Sequence, residues 1–392
     1  MLDLNLPSWP SFTEEEADVV TQVLLSNKVN YWTGSECKKF EQEFAEWCDS
    51  KFAIALSNGT VALEIALQGL GVGTGDEVIV TPRTFIASVS SIIKVGAIPV
   101  FADVDLQSQN INASSIVPVL SERTKAIICV HLGGWPCDME PIMELACENN
   151  LYVIEDCAQA HGAEYKGKPV GSIGHVGAWS FCQDKIMTTG GEGGMVTTND
   201  EDLWSRMWSL KDHGKDYNSI KRNKESHTFS WVHDSIGGNG RMTEMQAAIG
   251  RIQLRRMPEW NSKRKANADD YTSIFSDCRA LRLADISGME KHAWYKYTAF
   301  LRPGYLAAGW SRDRIVNELS QVGVPCRIGP CPEVYLEKAF DKTEYKPRHR
   351  LPNARELGET SLVFLVHPTL EKQHVCDMAH YVSELIVKAT KT

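Results

Sequence analysis

One lysine, Lys185, sits in the stretch SFCQDKIMTTGGEGGM (180–195), between hydroxyl-bearing residues and four glycines around Glu192. An amine in a partly enclosed site loses its proton more readily and becomes a nucleophile able to form an imine with an aldehyde. Dense glycine suggests that another group approaches the main chain closely. Ser180, five residues earlier, offers a hydroxyl to a phosphate. The plain alternative is a solvated cation on a loop. Upstream, LYVIEDCAQAHG puts Glu155 and Asp156 at the end of an apolar run. A carboxylate there is costly unless paired or hydrogen-bonded. Two readings stand: a structural cap, or a carboxylate that holds a proton on a ligand nitrogen. Side chains alternate along a strand, so only one of the two can face a given site.

A third group comes earlier. In SNGTVAL, Gly59 and Thr60 fall at a strand-to-helix turn. Free amides and the helix dipole make such a turn an anion site. A phosphate cradle, an acid on a strand end and a lysine in a hydroxyl- and glycine-rich loop are the three parts that pyridoxal 5'-phosphate requires. GVGTGDEV (71–78) is not a dinucleotide loop: it follows a helical run and precedes a strand, the reverse of that motif. It reads as a helix C-terminal cap and a turn.

The elements that must carry these groups alternate. FAIALS, DEVIVTP, IPVFADVD, KAIICVHL, LYVIED and HVGAWSF read as strands, with amphipathic runs such as TVALEIALQGLG and MEPIMELACENN between them. That alternation predicts an α/β fold with a mostly parallel, doubly wound sheet, whose ligands gather beyond the carboxyl ends of the strands. After about residue 215 the pattern changes. KDYNSIKRNKESHTFSW reads as an exposed loop, and a long helical stretch over 242–275 carries an expected break near Pro258. We divide the chain into a large domain over 1–254 and a smaller α+β domain over 255–392.

Composition narrows the classes. The chain has 392 residues, 43% hydrophobic and 23% charged, within the range of globular proteins. A net charge of −9 with no basic run argues against nucleic acid. No apolar run is long enough to span a bilayer, and MLDLNLPSWPSFTEEEADVV lacks the features of a secretory signal, so a cytoplasmic protein is expected. The 11 cysteines follow no disulfide framework, and Cys326 and Cys331 fit no zinc spacing, so reduced thiols and no metal are expected.

The segment EDCAQAHGAEYKGKPVGSIGHVGAWSFCQDKIMTTGGEGGMVTTND closely resembles the nucleotide-sugar aminotransferases of the DegT/DnrJ/StrS family, which have the aspartate-aminotransferase fold type I. YWTGSECKKFEQEFAEW, SNGTVAL, TPRTFIASVSSIIKVGAIPVFADVD, VHLGGWPCDM and GGNGRMTEMQAAIGRIQL follow in the family's order. The resemblance implies that Lys185 bonds to the cofactor aldehyde and Asp156 pairs with the pyridine nitrogen. Phe85 and Ala158 would lie on the two ring faces, with Gln159 near the ring hydroxyl. Gly59, Thr60 and Ser180 would bind the phosphate, and Asn239 would reach it from the second subunit of a homodimer. The family commonly has an aromatic where this chain has Gly240, and GGEGG has one more glycine than the usual loop. The implied reaction moves an amino group from L-glutamate to a nucleotide-linked keto sugar, for aminodeoxy-sugar polysaccharides. A dTDP- or UDP-linked 4-keto-6-deoxyhexose, aminated at C4, is the expected acceptor; a 3-keto sugar, or a non-catalytic cofactor-binding regulator, is the alternative. Trp32, Thr33, His161, Arg241 and Arg327 are candidate substrate contacts. For His161 a hydrogen bond within its loop, for Trp32 a place in the core and for the arginines simple exposure are the alternatives. Relatives that dehydrate keto sugars have histidine in place of the lysine, against Lys185 here.

Overall fold

Short β-branched and aliphatic runs form the centre of the molecule. The computed structural model describes residues 5–217, 219–220, 231–286, 290–329 and 332–391. Helices α1 (Glu14–Leu25) and α2 (Glu36–Trp47) precede β1 (Phe52–Leu56), α3 (Gly59–Gly69), β2 (Glu77–Val80), α4 (Ala87–Lys94) and β3 (Ile98–Phe101). Next come α5 (Ala113–Ile116), β4 (Thr124–Val130), α6 (Met139–Glu148) and β5 (Tyr152–Asp156). The short strands β6 (Glu164–Tyr165) and β7 (Lys168–Pro169) lead to β8 (Val176–Ser180), β9 (Gly194–Thr198) and α7 (Glu201–Lys211). The seven-stranded sheet runs β1-β9-β8-β5-β4-β2-β3. Every pairing is parallel except those of β9, which runs against both of its neighbours.

Alternation along the strands divides the core between the two faces of the sheet. Val78, Val80, Ile128, Val130 and Ile154 pack into one apolar cluster. Ile79, Ile127, Cys129 and Val153 pack into another, with α5 and α6. Both faces are thus covered, as crossover helices require of parallel strands. This parity decides where the two carboxylates of β5 go: Asp156 follows Ile154, and Glu155 follows Val153.

Helix α8 (Glu244–Phe275) runs 32 residues with Pro258 inside it. The break expected there does not occur. Proline removes one backbone donor, but the helix is held on both sides of it. Met257 and Trp260 belong to the core of the large sheet, and Ala268, Tyr271 and Phe275 to a second core. The division drawn at 254/255 falls inside this helix. The second core also covers β10 (Leu281–Leu283), β12 (Tyr297–Leu301) and β13 (Ser361–Phe364), with α9 (Arg312–Gln321) and the C-terminal α11 (Lys372–Ala389) packed on them. Strand β11 (Glu290–Lys291) joins β6 and β7, and α10 (Pro352–Thr360) leads into β13.

Helix α3 ends at Gly69, Gly71 takes φ 74°, and Gly75 (φ 94°) turns the chain into β2. GVGTGDEV is therefore the cap and turn expected of it. Ten cysteines are free thiols, seven of them buried, while Cys331 lies outside the described residues. So does most of KDYNSIKRNKESHTFSW (215–231), whose loop assignment therefore has no counterpart here. Among the described residues no helix is long and apolar enough to cross a membrane.

Candidate active site

The carboxyl ends of β2, β4, β5 and β8 open into one cavity of about 860 Å³. Gly59, Thr60, Phe85, Asp156, Ala158, Gln159, Ser180 and Lys185 all line it, as does Arg327, whose backbone bridges Val363 of β13.

Asp156 forms the floor and is 5% exposed. Its Oδ2 accepts from Ser88 Oγ at 2.7 Å, and its Oδ1 accepts from the Ala158 amide at 3.1 Å. Glu155 points to the opposite face of the sheet. Its two oxygens accept from the amides of Gly171, Ile173 and Gly174 at 2.9, 2.9 and 2.7 Å, and it lies 3.0 Å from His131 Nε2. His131 Nδ1 accepts from the Cys137 amide at 3.0 Å, which makes Nε2 the donor to Glu155. Glu155 is thus the structural member of the pair, and its hydrogen bonds are satisfied by protein. Cys157 lies close to His131 and Glu155.

The anion cradle is built by the start of α3. Asn58 caps the helix by accepting from Val61 N. The first amides of a helix have no partner within it, which leaves Gly59 and Thr60 for a ligand. A Cβ on Gly59 would stand 2.6 Å from Ser180 Cβ, so the helix start and Ser180 meet only because residue 59 is glycine. On the far side, a Cβ on Gly194 would stand 2.3 Å from the Asn58 carbonyl oxygen. The glycine cluster therefore lets the β8–β9 loop return against α3, with Gly190 and Gly191 at φ 86° and 123°.

Lys185 is fixed on that loop through its backbone. Its N–H donates to the Cys182 carbonyl at 3.1 Å, and its carbonyl accepts from Trp9 Nε1 at 2.9 Å. Its Nζ lies 5.2 Å from the ring centre of Tyr295, whose hydroxyl donates to Asp184. Burial alone would raise the Asp184 carboxyl. The Lys185 charge and the Tyr295 hydroxyl outweigh it, and the group lies below its ordinary value. Burial, then the Asp184 charge, pushes the Tyr295 hydroxyl up. Gln159 Oε1 accepts from the Gly133 amide at 2.8 Å, which fixes the side chain at the cavity wall.

The other candidates lie outside this cavity. His161 is fully buried, its ring 5.3 Å from that of Trp179 and 5.7 Å from that of Phe181. Arg241 Nη1 donates to the buried Asp212 at 2.7 Å. Asn239 pairs with Asp212 across a β-bridge, and the Gly240 carbonyl accepts from Ser57 N at 2.8 Å. Trp32 sits edge-on to Trp208, under the Lys215 ammonium, and Thr33 Oγ1 donates to the Asn30 carbonyl. Within one chain, Trp32, Thr33, His161 and Arg241 are thus engaged by protein rather than presented to the cavity.

The cavity also holds groups that the sequence reading missed: Thr84, Ser88, Asp184, Tyr295 and Lys296. Thr84 and Ser88 had a signal, a pair of hydroxyls four apart entering an apolar helix after β2. Tyr295 and Lys296 come from a distant segment with no motif.

An amine, a buried carboxylate and a glycine-dependent anion cradle in one cavity fit pyridoxal phosphate on chemistry alone. The likeness to known proteins agrees. The model of the DegT/DnrJ/EryC1/StrS aminotransferase family matches residues 10–383. An aminotransferase from Psychrobacter cryohalolentis superposes with a TM-score of 0.96 at 57% identity, over 98% of this chain and 99% of its own. The GDP-perosamine synthase of Escherichia coli O157:H7 is 46% identical over 266 residues, 67% of this chain and 69% of its own. A putative sugar aminotransferase from Streptococcus pneumoniae, solved in its PLP form, matches with a TM-score of 0.84 at 26% identity, over 96% of this chain and 98% of its own. The sheet, the cavity and these matches agree that the chain belongs to the DegT/DnrJ/EryC1/StrS family, and that it is a pyridoxal-phosphate-dependent sugar aminotransferase of fold type I.

Proposed function

We propose that the chain moves the amino group of L-glutamate to C4 of a nucleotide-linked 4-keto-6-deoxyhexose, carried by dTDP or UDP. The observation that carries the reading is the convergence of Lys185, Asp156 and the Gly59–Ser180 cradle on one cavity. Lys185 Nζ would hold the cofactor covalently. Gly59, Thr60 and Ser180 would hold its phosphate, Phe85 and Ala158 its two faces, and Gln159 its ring hydroxyl. When bound, pyridoxal phosphate supplies an electron sink for the carbanion left when a proton departs.

The chain's own groups do the rest. Asp156, oriented by the donors Ser88 and Ala158 N, would hold a proton on the ring nitrogen. The freed Lys185 amine would take the α-proton of glutamate, and in the second half-reaction return a proton to the sugar carbon that gains nitrogen. Arg327 would meet an anionic part of a substrate, since planar guanidinium suits carboxylate and phosphate. Asn239 of a second copy would complete the phosphate site. Its exposed place outside the one-chain cavity, on a segment pinned by Asp212 and Ser57, supports a homodimer with shared sites.

A GDP-linked acceptor is the second reading, favoured by the GDP-perosamine synthase relative. Adding L-glutamate to purified holoenzyme should shift the bound aldehyde's absorbance to that of the amine form. A panel of dTDP-, UDP- and GDP-linked 3- and 4-keto sugars, with NMR of the products, should then yield a 4-amino sugar. No spectral shift with glutamate would sink the reading.

A further inference from the structure

Among the described residues, four cations line the cavity: Lys94, Lys185, Lys296 and Arg327. Among the described residues, only Lys94 has a carboxylate within salt-bridge distance, Glu64 at 3.0 Å. Lys185 has its chemistry to do. Lys296 and Arg327, which line the same cavity, have no such partner among the described residues. Their main chain is well held. Lys296 opens β12's segment beside the buried Tyr295, and Arg327 exchanges two backbone hydrogen bonds with Val363, at 3.0 and 2.8 Å.

The carboxylates nearby form no salt bridge with these two cations, although the Asp184 charge is felt by Lys296. Asp156 is turned to Ser88, and Asp184 accepts from Tyr295. Behind Tyr295 lies a further cation, Arg264, 2% exposed. Its Nη1 reaches only the carbonyls of Trp294 and Tyr295, both at 3.4 Å, and its guanidinium lies 5.1 Å from the ring centre of Trp9. Burial, then the Arg264 charge, draws Lys296 down to about 8, and burial draws Arg264 down to about 9. Asp184 acts the other way on Lys296, and Lys185 adds to the repulsion. Cations without a salt-bridge partner in a partly enclosed site favour an incoming anion, because little water screens them.

We infer that Lys296 and Arg327 form a second anion-binding corner, apart from the cradle at the start of α3, that seats the anionic group of a reacting substrate. The inference rests on reading this cavity as the transamination site. Its reach suits that role. The Nζ atoms of Lys185 and Lys296 lie 5.2 and 5.0 Å from the Tyr295 ring centre, so they are separated by at most the sum of those distances. A carboxylate of the amino donor and the diphosphate of a sugar nucleotide each lie a few bonds from the atom that reacts at Lys185. Both present paired anionic oxygens, and the corner would recognise either.

Calorimetric titration of the holoenzyme separates the sources. Glutarate stands for the donor, and uridine diphosphate for the sugar nucleotide. Wild type should bind at least one of them. In Lys296→Met that affinity should fall at least tenfold, with Lys296→Arg restoring most of it and Arg327→Met weakening the same probe. The absorbance of bound cofactor should stay unchanged in all three variants, since its cradle lies elsewhere. Loss of glutarate binding assigns the corner to the donor, and loss of uridine diphosphate binding to the acceptor. Wild type that binds neither probe, or a Lys296→Met variant that loses less than tenfold for both, overturns the proposal. A wild type whose spectrum ignores glutamate, yet whose probe binding depends on Lys296, would refute transamination and leave the anion corner standing.

Discussion

Ser88 Oγ donates to Asp156 Oδ2 at 2.7 Å, and Thr84 Oγ1 lies 2.7 Å from the same serine oxygen. Both hydroxyls sit on the turn and first helical residues after β2, and both are buried. With Ala158 N on the other oxygen, each end of the carboxylate is oriented by a donor. Hydrogen bonds to a charged group are worth roughly 1.5–3 kcal/mol. Ser88→Ala should lower kcat by about tenfold while KM for glutamate stays within about twofold, because the lost contact acts in the transition state. Ser88→Thr should recover part of the loss, measured as initial rates over a glutamate series.

On the proposed reading, Lys185→Ala would remove both the covalent anchor and the proton-transferring amine. Turnover should drop by at least about 10³-fold. The visible absorbance of bound aldehyde should vanish after dialysis. A variant that still aminates a keto sugar at a measurable rate would show that another group carries the chemistry.

Asp156→Asn keeps the shape and loses the charge. The amide can still accept from Ser88 or Ala158, so cofactor should remain largely bound. Turnover should fall by about 10²-fold or more, since one displaced unit of pKa already represents about 1.4 kcal/mol. An unchanged kcat would contradict the role given to this carboxylate.

Gly59→Ala inserts a Cβ 2.6 Å from Ser180 Cβ. Overpacking of this kind costs about 1–3 kcal/mol. Because the strain falls on the cradle itself, cofactor Kd should rise by about tenfold or more, read by equilibrium dialysis. Gly73→Ala, whose Cβ would meet nothing closer than 3.9 Å, is the neutral comparison.

Stability should depend on pH through His161. Burial, then the Lys185 and Arg264 charges, lowers its value to about 3 from an ordinary 6.5. The folded state therefore keeps the ring neutral where the unfolded chain takes up a proton. Stability is full above about pH 6.5 and falls as pH drops toward 3, at up to about 1.4 kcal/mol per pH unit from this residue. His292 and His367, also drawn to about 3 by burial, act in the same direction. Urea midpoints between pH 7 and 5 should drop for the wild type and drop less steeply for His161→Leu.

Much of this architecture was written in local pattern. Alternating strands and crossover helices, the turn at Gly71 and Gly75, and the parity of Glu155 and Asp156 follow from periods of two and 3.6 residues. The reversal of β9 was not legible, because a five-residue apolar strand carries no mark of its direction. Nor was the passage of α8 through Pro258, where packing on two cores outweighs a local preference. The same contrast holds at the cavity. Lys185 and Gly59 lie in motifs, whereas Tyr295 and Lys296 reach Lys185 only through the tertiary fold. Within one chain Trp32, Thr33, His161 and Arg241 meet Trp208, Asn30, Trp179 and Asp212, contacts that residue type alone did not indicate.

Trp9 lies 176 positions from Lys185 along the chain, yet its indole holds the carbonyl of that residue. Trp9 also packs edge-on against Trp260, in the middle of α8. The segment around Trp9, near the amino end, thus acts as a latch on Lys185. A bulky fusion at that end, or a protease nick just beyond it, would register first as a loosened lysine and a changed colour, before any loss of fold.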